Sequence, residues 1–88
     1  MDRNAFEAAA VADGYEVSES FKPAAPDNGQ HTHDFDARLF ILSGEATMTF
    51  ADGPVTYRAG DVCDVTAGTR HSEAFGPDGC AYLVAKRS

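Results

Sequence analysis

The chain has 88 residues, 43% hydrophobic and 24% charged, which leaves room for one globular domain with a small core and excludes a disordered or membrane-embedded chain. Its 14 acidic and 7 basic residues give a formal net charge of −7. Phosphate backbones and anionic membrane surfaces need clustered Lys and Arg, so neither nucleic acid nor membrane is expected as a partner.

Asp2 or Asn4 is placed to cap a short helix through about Ala12, with Phe6, Ala9 and Ala10 at helical spacing and Gly14 as its stop. The apolar run Ala8 to Ala12 is too short for a signal-peptide core or a membrane span. From Tyr15 the period changes to two, and Tyr15, Val17 and Phe21 alternate with Glu16, Ser18 and Ser20 in a first strand. Lys22 to Gln30, with two prolines, an Asp-Asn pair and Gly29, is a loop.

His31-Thr32-His33 then begins a second strand. Arg38 to Leu42 is nearly continuously apolar, as expected of a strand buried on both faces. Ser43-Gly44 is expected to turn the chain into a strand over Glu45 to Ala51, and Asp52-Gly53 is a strong hairpin signal. Four further strands are expected at Val55–Arg58, Val62–Val65, His71–Phe75 and Cys80–Ala85, separated by glycine-containing turns. About seven or eight short strands, with turns every eight to twelve residues, mean an all-β antiparallel sandwich or barrel.

His31, His33 and His71 are the only histidines. In an extended segment residues 31 and 33 share a face. With His71 arriving from a neighbouring strand, they make a nitrogen-rich site suited to a divalent transition metal (Fe, Mn, Ni, Cu or Zn). The alternative is three solvated surface histidines. Cys63 and Cys80 show no Cys-x-x-Cys spacing and read as reduced thiols of a cytoplasmic protein, with a disulfide as the alternative.

The two histidine segments, His31 to Glu45 and Gly60 to His71, resemble the two motifs of the cupin superfamily, with His31, His33, Gly44, Gly60, Gly68 and His71 in register. The resemblance covers about Gly29 to Ala85 and is similar to small single-domain bacterial members. It implies a small antiparallel β-barrel (a double-stranded β-helix, or jelly roll) over 15–88, with the helix of 1–14 packed on it. Four positions depart from the family pattern: Ala25 for a Gly, Ala37 for a Glu, Thr66 for a Pro and Phe75 for an Asn. The Glu missing at Ala37 is the family's usual carboxylate ligand, so the resemblance implies a three-histidine metal set of His31, His33 and His71.

Two other carboxylates, Asp34 and Asp36, have the wrong parity to replace it. Glu73, two residues from His71, points the same way as that histidine and can serve as a fourth ligand or a catalytic general base. The alternative is a solvated carboxylate at the rim. Cys63 should face inward beside Val65 and Asp64 outward. Arg38 is either an anion anchor at the barrel mouth or a solvated surface arginine.

The resemblance implies a metal-dependent oxygenase, isomerase or lyase, or else a non-enzymatic small-ligand binding or sensor module, or a metal-free degenerate cupin. A small polar molecule is the expected ligand or substrate. The two-faced apolar strand, with little chain to cover it, leads to the expectation of a homodimer.

Overall fold

The computed structural model describes residues 1–88. One helix, α1 (Arg3–Ala12), precedes five strands: β1 (Glu16–Lys22), β2 (Asp36–Phe50), β3 (Gly53–Arg58), β4 (Val62–Val65) and β5 (Ser72–Arg87). Asp2 caps α1, its carboxylate accepting from the Ala5 amide at 2.8 Å. A helix of ten residues is marginal on its own. Phe6 and Ala10 anchor it, packing in a cluster with Tyr15, Phe40, Leu83 and Ala85.

The strands pair antiparallel throughout. β2 is the centre of the sheet. One edge pairs with β5; the other pairs with β4 at Ala37–Phe40 and with β3 at Glu45–Phe50. β1 adds to the far side of β5, giving the order β1-β5-β2-β3. The Asp52-Gly53 hairpin forms as expected, closing with Phe50 opposite Gly53.

Two expected breaks are absent. Ser43-Gly44 and Gly76 to Gly79 do not end strands; they lie inside β2 and β5. Ile41 pairs with Tyr82 and Ser43 with Ala81, leaving Leu42 unmatched. Gly44 then pairs with Cys80 and Ala46 with Phe75, so Glu45 lies against the extra residues Gly76-Pro77-Asp78-Gly79. Such irregularities reverse which residues face inward. Ala37, Leu39 and Ile41 line the internal cavity before the break, and Ala46 and Met48 line it afterwards. On β5, Glu73 and Phe75 give way to Tyr82, Val84 and Lys86. The turn residues therefore bend and re-phase two long strands instead of separating four short ones. Gly44, at φ +74°, is needed here: a Cβ would run into the Gly79 carbonyl.

The core is divided between the two faces of the sheet. Leu39, Ile41, Ala46, Met48, Cys63, Val65, Cys80 and Tyr82 form the inner cluster. Phe40, on the opposite face of β2, meets Phe6 with ring centroids 5.4 Å apart. The apolar outer face at Phe40 is thus covered by α1 of the same chain. Arg38 is neither an anchor at the mouth nor a free surface group. Its guanidinium lies 4.5 Å from the Tyr15 ring centroid and pairs with Asp13 at 3.1 Å and Asp64 at 2.9 Å. Arg87 stacks on the same ring and pairs with Asp36 at 3.0 Å.

Asp36 also accepts from the Ala67 amide at 2.9 Å. That bond, followed by Arg87, holds its carboxyl below the ordinary aspartate range. A carboxyl lowered on folding stabilises the protein above the unfolded value of about 4, and this contribution is lost as pH falls through the folded value. Asp36→Asn is expected to lower the melting temperature at pH 7, and the difference from wild type should shrink on acidification below about pH 4. A difference that is constant across thermal melts from neutral to acid pH would remove the charged Asp36 from the account.

Candidate metal centre

His31 lies outside the strands, but its backbone makes a reciprocal pair with His71: amide to carbonyl at 2.8 Å in one direction and 3.0 Å in the other. The second strand begins only at Asp36, after this isolated bridge. The turn before His71 is docked onto the segment carrying His33, with the Gly68 amide donating to the His33 carbonyl at 2.9 Å. The Ala67–Asp36 bond locks the same turn one residue earlier. Two histidine segments remote in sequence are thereby held together by main-chain bonds and one Asp36 side-chain bond.

The imidazoles meet as the spacing of residues 31 and 33 requires. Ring centroids are 4.9 Å apart for His31–His33, 4.5 Å for His31–His71 and 5.2 Å for His33–His71. Glu73 joins them, its Oε2 3.6 Å from His71 Nε2. Ligand atoms of His31, His33, His71 and Glu73 all lie within 4.8 Å of one another, a group that can hold a metal ion. Asp34 is exposed and outside this group, and Asp36 is engaged with Ala67 and Arg87. Ala37 lines the cavity but offers no donor.

The donor chemistry fits a metal. His71 Nδ1 bonds to the Thr69 carbonyl at 2.9 Å, and His31 Nδ1 to the Gly29 carbonyl at 3.1 Å. A carbonyl only accepts, so Nδ1 carries the proton and Nε2 of the neutral ring keeps its lone pair. Gly29 reaches this position at φ +82°. His33 stacks on Phe35 at 4.8 Å. Burial, then the neighbouring His31 and His71, lower the His33 pKa and favour the neutral ring that coordinates metals.

Sequence reasoning missed a clip formed by Asp27 and Asn28. Asn28 donates from Nδ2 to Glu73 Oε1 at 3.3 Å and accepts the Glu73 amide at 2.8 Å, while its own amide donates to the Glu73 carbonyl at 3.0 Å. Asp27 accepts the Ser72 hydroxyl at 2.6 Å and the Gly29 amide at 2.8 Å. One three-residue turn therefore sets Glu73 and, through the Gly29 carbonyl, the His31 ring. The Asp-Asn pair marked a loop, but a turn's long-range partners leave no local signal.

Cys63 faces inward, as expected, beside Val65 in the inner cluster, and is not a member of the His–Glu group. Burial pushes its thiol up to about 11, so it is a packed thiol and not a reactive thiolate. Cys80 is likewise free and buried. No helix is long and apolar enough to cross a membrane.

Comparison with known proteins agrees with this architecture. Residues 17–83 match the family model described as Cupin domain (Cupin_2). A Neisseria meningitidis protein of known structure is 29% identical, with TM-score 0.68 over 85% of this chain and 75% of that one. A cupin-2 domain containing protein from Shewanella frigidimarina superimposes with TM-score 0.69 at 19% identity, over 84% of this chain and 71% of that one. A Thermotoga maritima protein described as a predicted oxalate decarboxylase gives TM-score 0.68 at 24% identity, over 90% and 71% of the two chains. No curated protein matches the sequence. The long β2–β5 pairing, the re-phased strands around one cavity and the match over 17–83 together establish that this chain belongs to the cupin family.

Proposed function

We propose that this protein is a metal-dependent cupin that binds, and with Glu73 acts on, a small organic molecule in its cavity. The ion is one divalent transition metal (Fe, Mn, Ni, Cu or Zn), held by His31, His33 and His71. The observation that carries this reading is the convergence of three imidazoles and one carboxylate within 4.8 Å, beside a cavity. Glu73 supplies from β5 the carboxylate that Ala37 cannot supply from β2. It serves either as a fourth ligand or as the acid–base group next to the centre, with Asn28 fixing its orientation.

When bound, the metal supplies Lewis-acid polarisation of an oxygen-bearing group. The chain's own residues do the rest. Thr69 and Gly29 hold two imidazoles in the coordinating tautomer, and Phe35 backs the third. Leu39, Ile41, Met48 and Val84 give the space beside them an apolar wall. Ten of the fifteen residues lining that space are hydrophobic, so the ligand has an apolar body and is not uniformly polar. A cytoplasmic location belongs to the same proposal, and so does a homodimer, which would need a surface other than the face at Phe40 that α1 already covers.

The test is elemental mass spectrometry on protein purified without a histidine tag or chelators. About one equivalent of Fe, Mn, Ni, Cu or Zn per chain is expected. No metal, even after soaking with each ion in turn, would overturn the reading.

A further inference from the structure

The cavity is the one place where this acidic chain concentrates unpaired positive charge. Lys22 and Lys86 are its only lysines, and both line the cavity. Both are exposed and neither makes an ion pair, even though Lys86 stands opposite Glu16 in the β1–β5 register and carboxylates outnumber basic groups 14 to 7. Arg3, Arg38, Arg58 and Arg87 are all paired with carboxylates, and Arg70 bonds to Gln30. A chain of net charge −7 repels anions in general, so a small anion must be attracted by a local arrangement of cations.

Lys86 is the better placed of the two. Its ammonium lies 5.1 Å from the centroid of the Phe35 ring, and Phe35 stacks on His33 at 4.8 Å. Ammonium, phenyl ring and imidazole form a column that ends at the His–Glu cluster. Glu73, at the other end of this path, repels a carboxylate and directs it towards the lysine. Between the two ends the wall is apolar, formed by Leu39, Ile41, Met48 and Val84.

We propose that the ligand of this cavity is a small organic acid with an apolar body, its carboxylate bound by Lys86 and its opposite end turned towards His71 and Glu73. The cavity volume of about 190 Å³ sets the size. A dry cavity of about 150 Å³ accepts benzene, so a molecule of about the size of benzoate fits. This inference rests on the reading that the His–Glu cluster is the centre this cavity serves.

Benzoate and benzamide share a shape and differ in charge, so they serve as probes. Each is titrated into the protein by chemical-shift mapping, with metal content measured on the same sample. Benzoate is expected to shift the Leu39 and Val84 amides and to bind about tenfold more tightly than benzamide. That preference should disappear in Lys86→Met and persist in Lys86→Arg, with unchanged melting temperatures showing that both variants fold. Equal binding of the two probes, a preference that survives Lys86→Met, or no binding of either at about 10 mM would overturn the inference. A Lys86-dependent preference in protein that takes up no metal supports the anion site while removing the metal reading. A metal-loaded protein that shows no preference removes the anion site alone.

Discussion

His71→Ala is expected to reduce metal affinity by at least about 100-fold, as read by competitive titration against a chromophoric chelator. His71 contributes more to the cluster than the other two imidazoles. It is 1% exposed, whereas the other two are only partly buried, and it is the histidine nearest Glu73. Loss of an outer-shell partner typically costs about 10–100-fold in metal affinity, so loss of a ligand should reach or exceed the top of that range. The fold should survive, because the bridge to His31 is made by backbone atoms that the substitution leaves in place. An Arg70→Ala control should bind as wild type, since Arg70 reaches only Gln30 through its side chain. Undiminished binding in folded His71→Ala would show that the metal is held elsewhere.

Phe6→Ala is expected to cost about 3–5 kcal/mol, the range for emptying a buried aromatic site. The ring is 2% exposed and stacks on Phe40, and it is the only large side chain by which α1 enters the second cluster. Domains of this size have about 5–15 kcal/mol in total, so little reserve would remain. At about 4–8 °C per kcal/mol, the melting temperature should fall by at least about 12 °C. Val11→Ala is the internal control. Val11 is on the same helix but 59% exposed, and its replacement should change stability by no more than about 0.5 kcal/mol. Equal effects of the two substitutions would mean that α1 is not held to the sheet through Phe6. Metal content of the folded fraction should not change, because the helix packs on the face away from the His–Glu cluster.

Much of this protein is legible in the sequence because it depends on local period. The helical spacing of Phe6 and Ala10 gives α1, and Asp52-Gly53 gives a hairpin with its register. Period two places His31 and His33 side by side and puts Glu73 on the side of His71. The motif positions from His31 to His71 carry the family. These features survive folding because each is set by dihedral preferences over a few neighbouring residues.

Only the tertiary structure decided the rest. Ser43-Gly44 and Gly76 to Gly79 carry turn residues, and turn chemistry alone does not say whether a strand ends there or is re-phased. The outcome depends on the partner strand, and here β2 and β5 slip together, so the inward faces stay matched across the break. Glu73 reads from the sequence as either rim or ligand, and Asn28, 45 residues away, orients its carboxylate beside the histidines. Lys22 and Lys86 look like any surface lysines until the fold sets both of them at one cavity, each outside any ion pair. Side-chain direction follows from local geometry, but the partner a charged group finds is set by long-range proximity, which a period-two pattern does not encode.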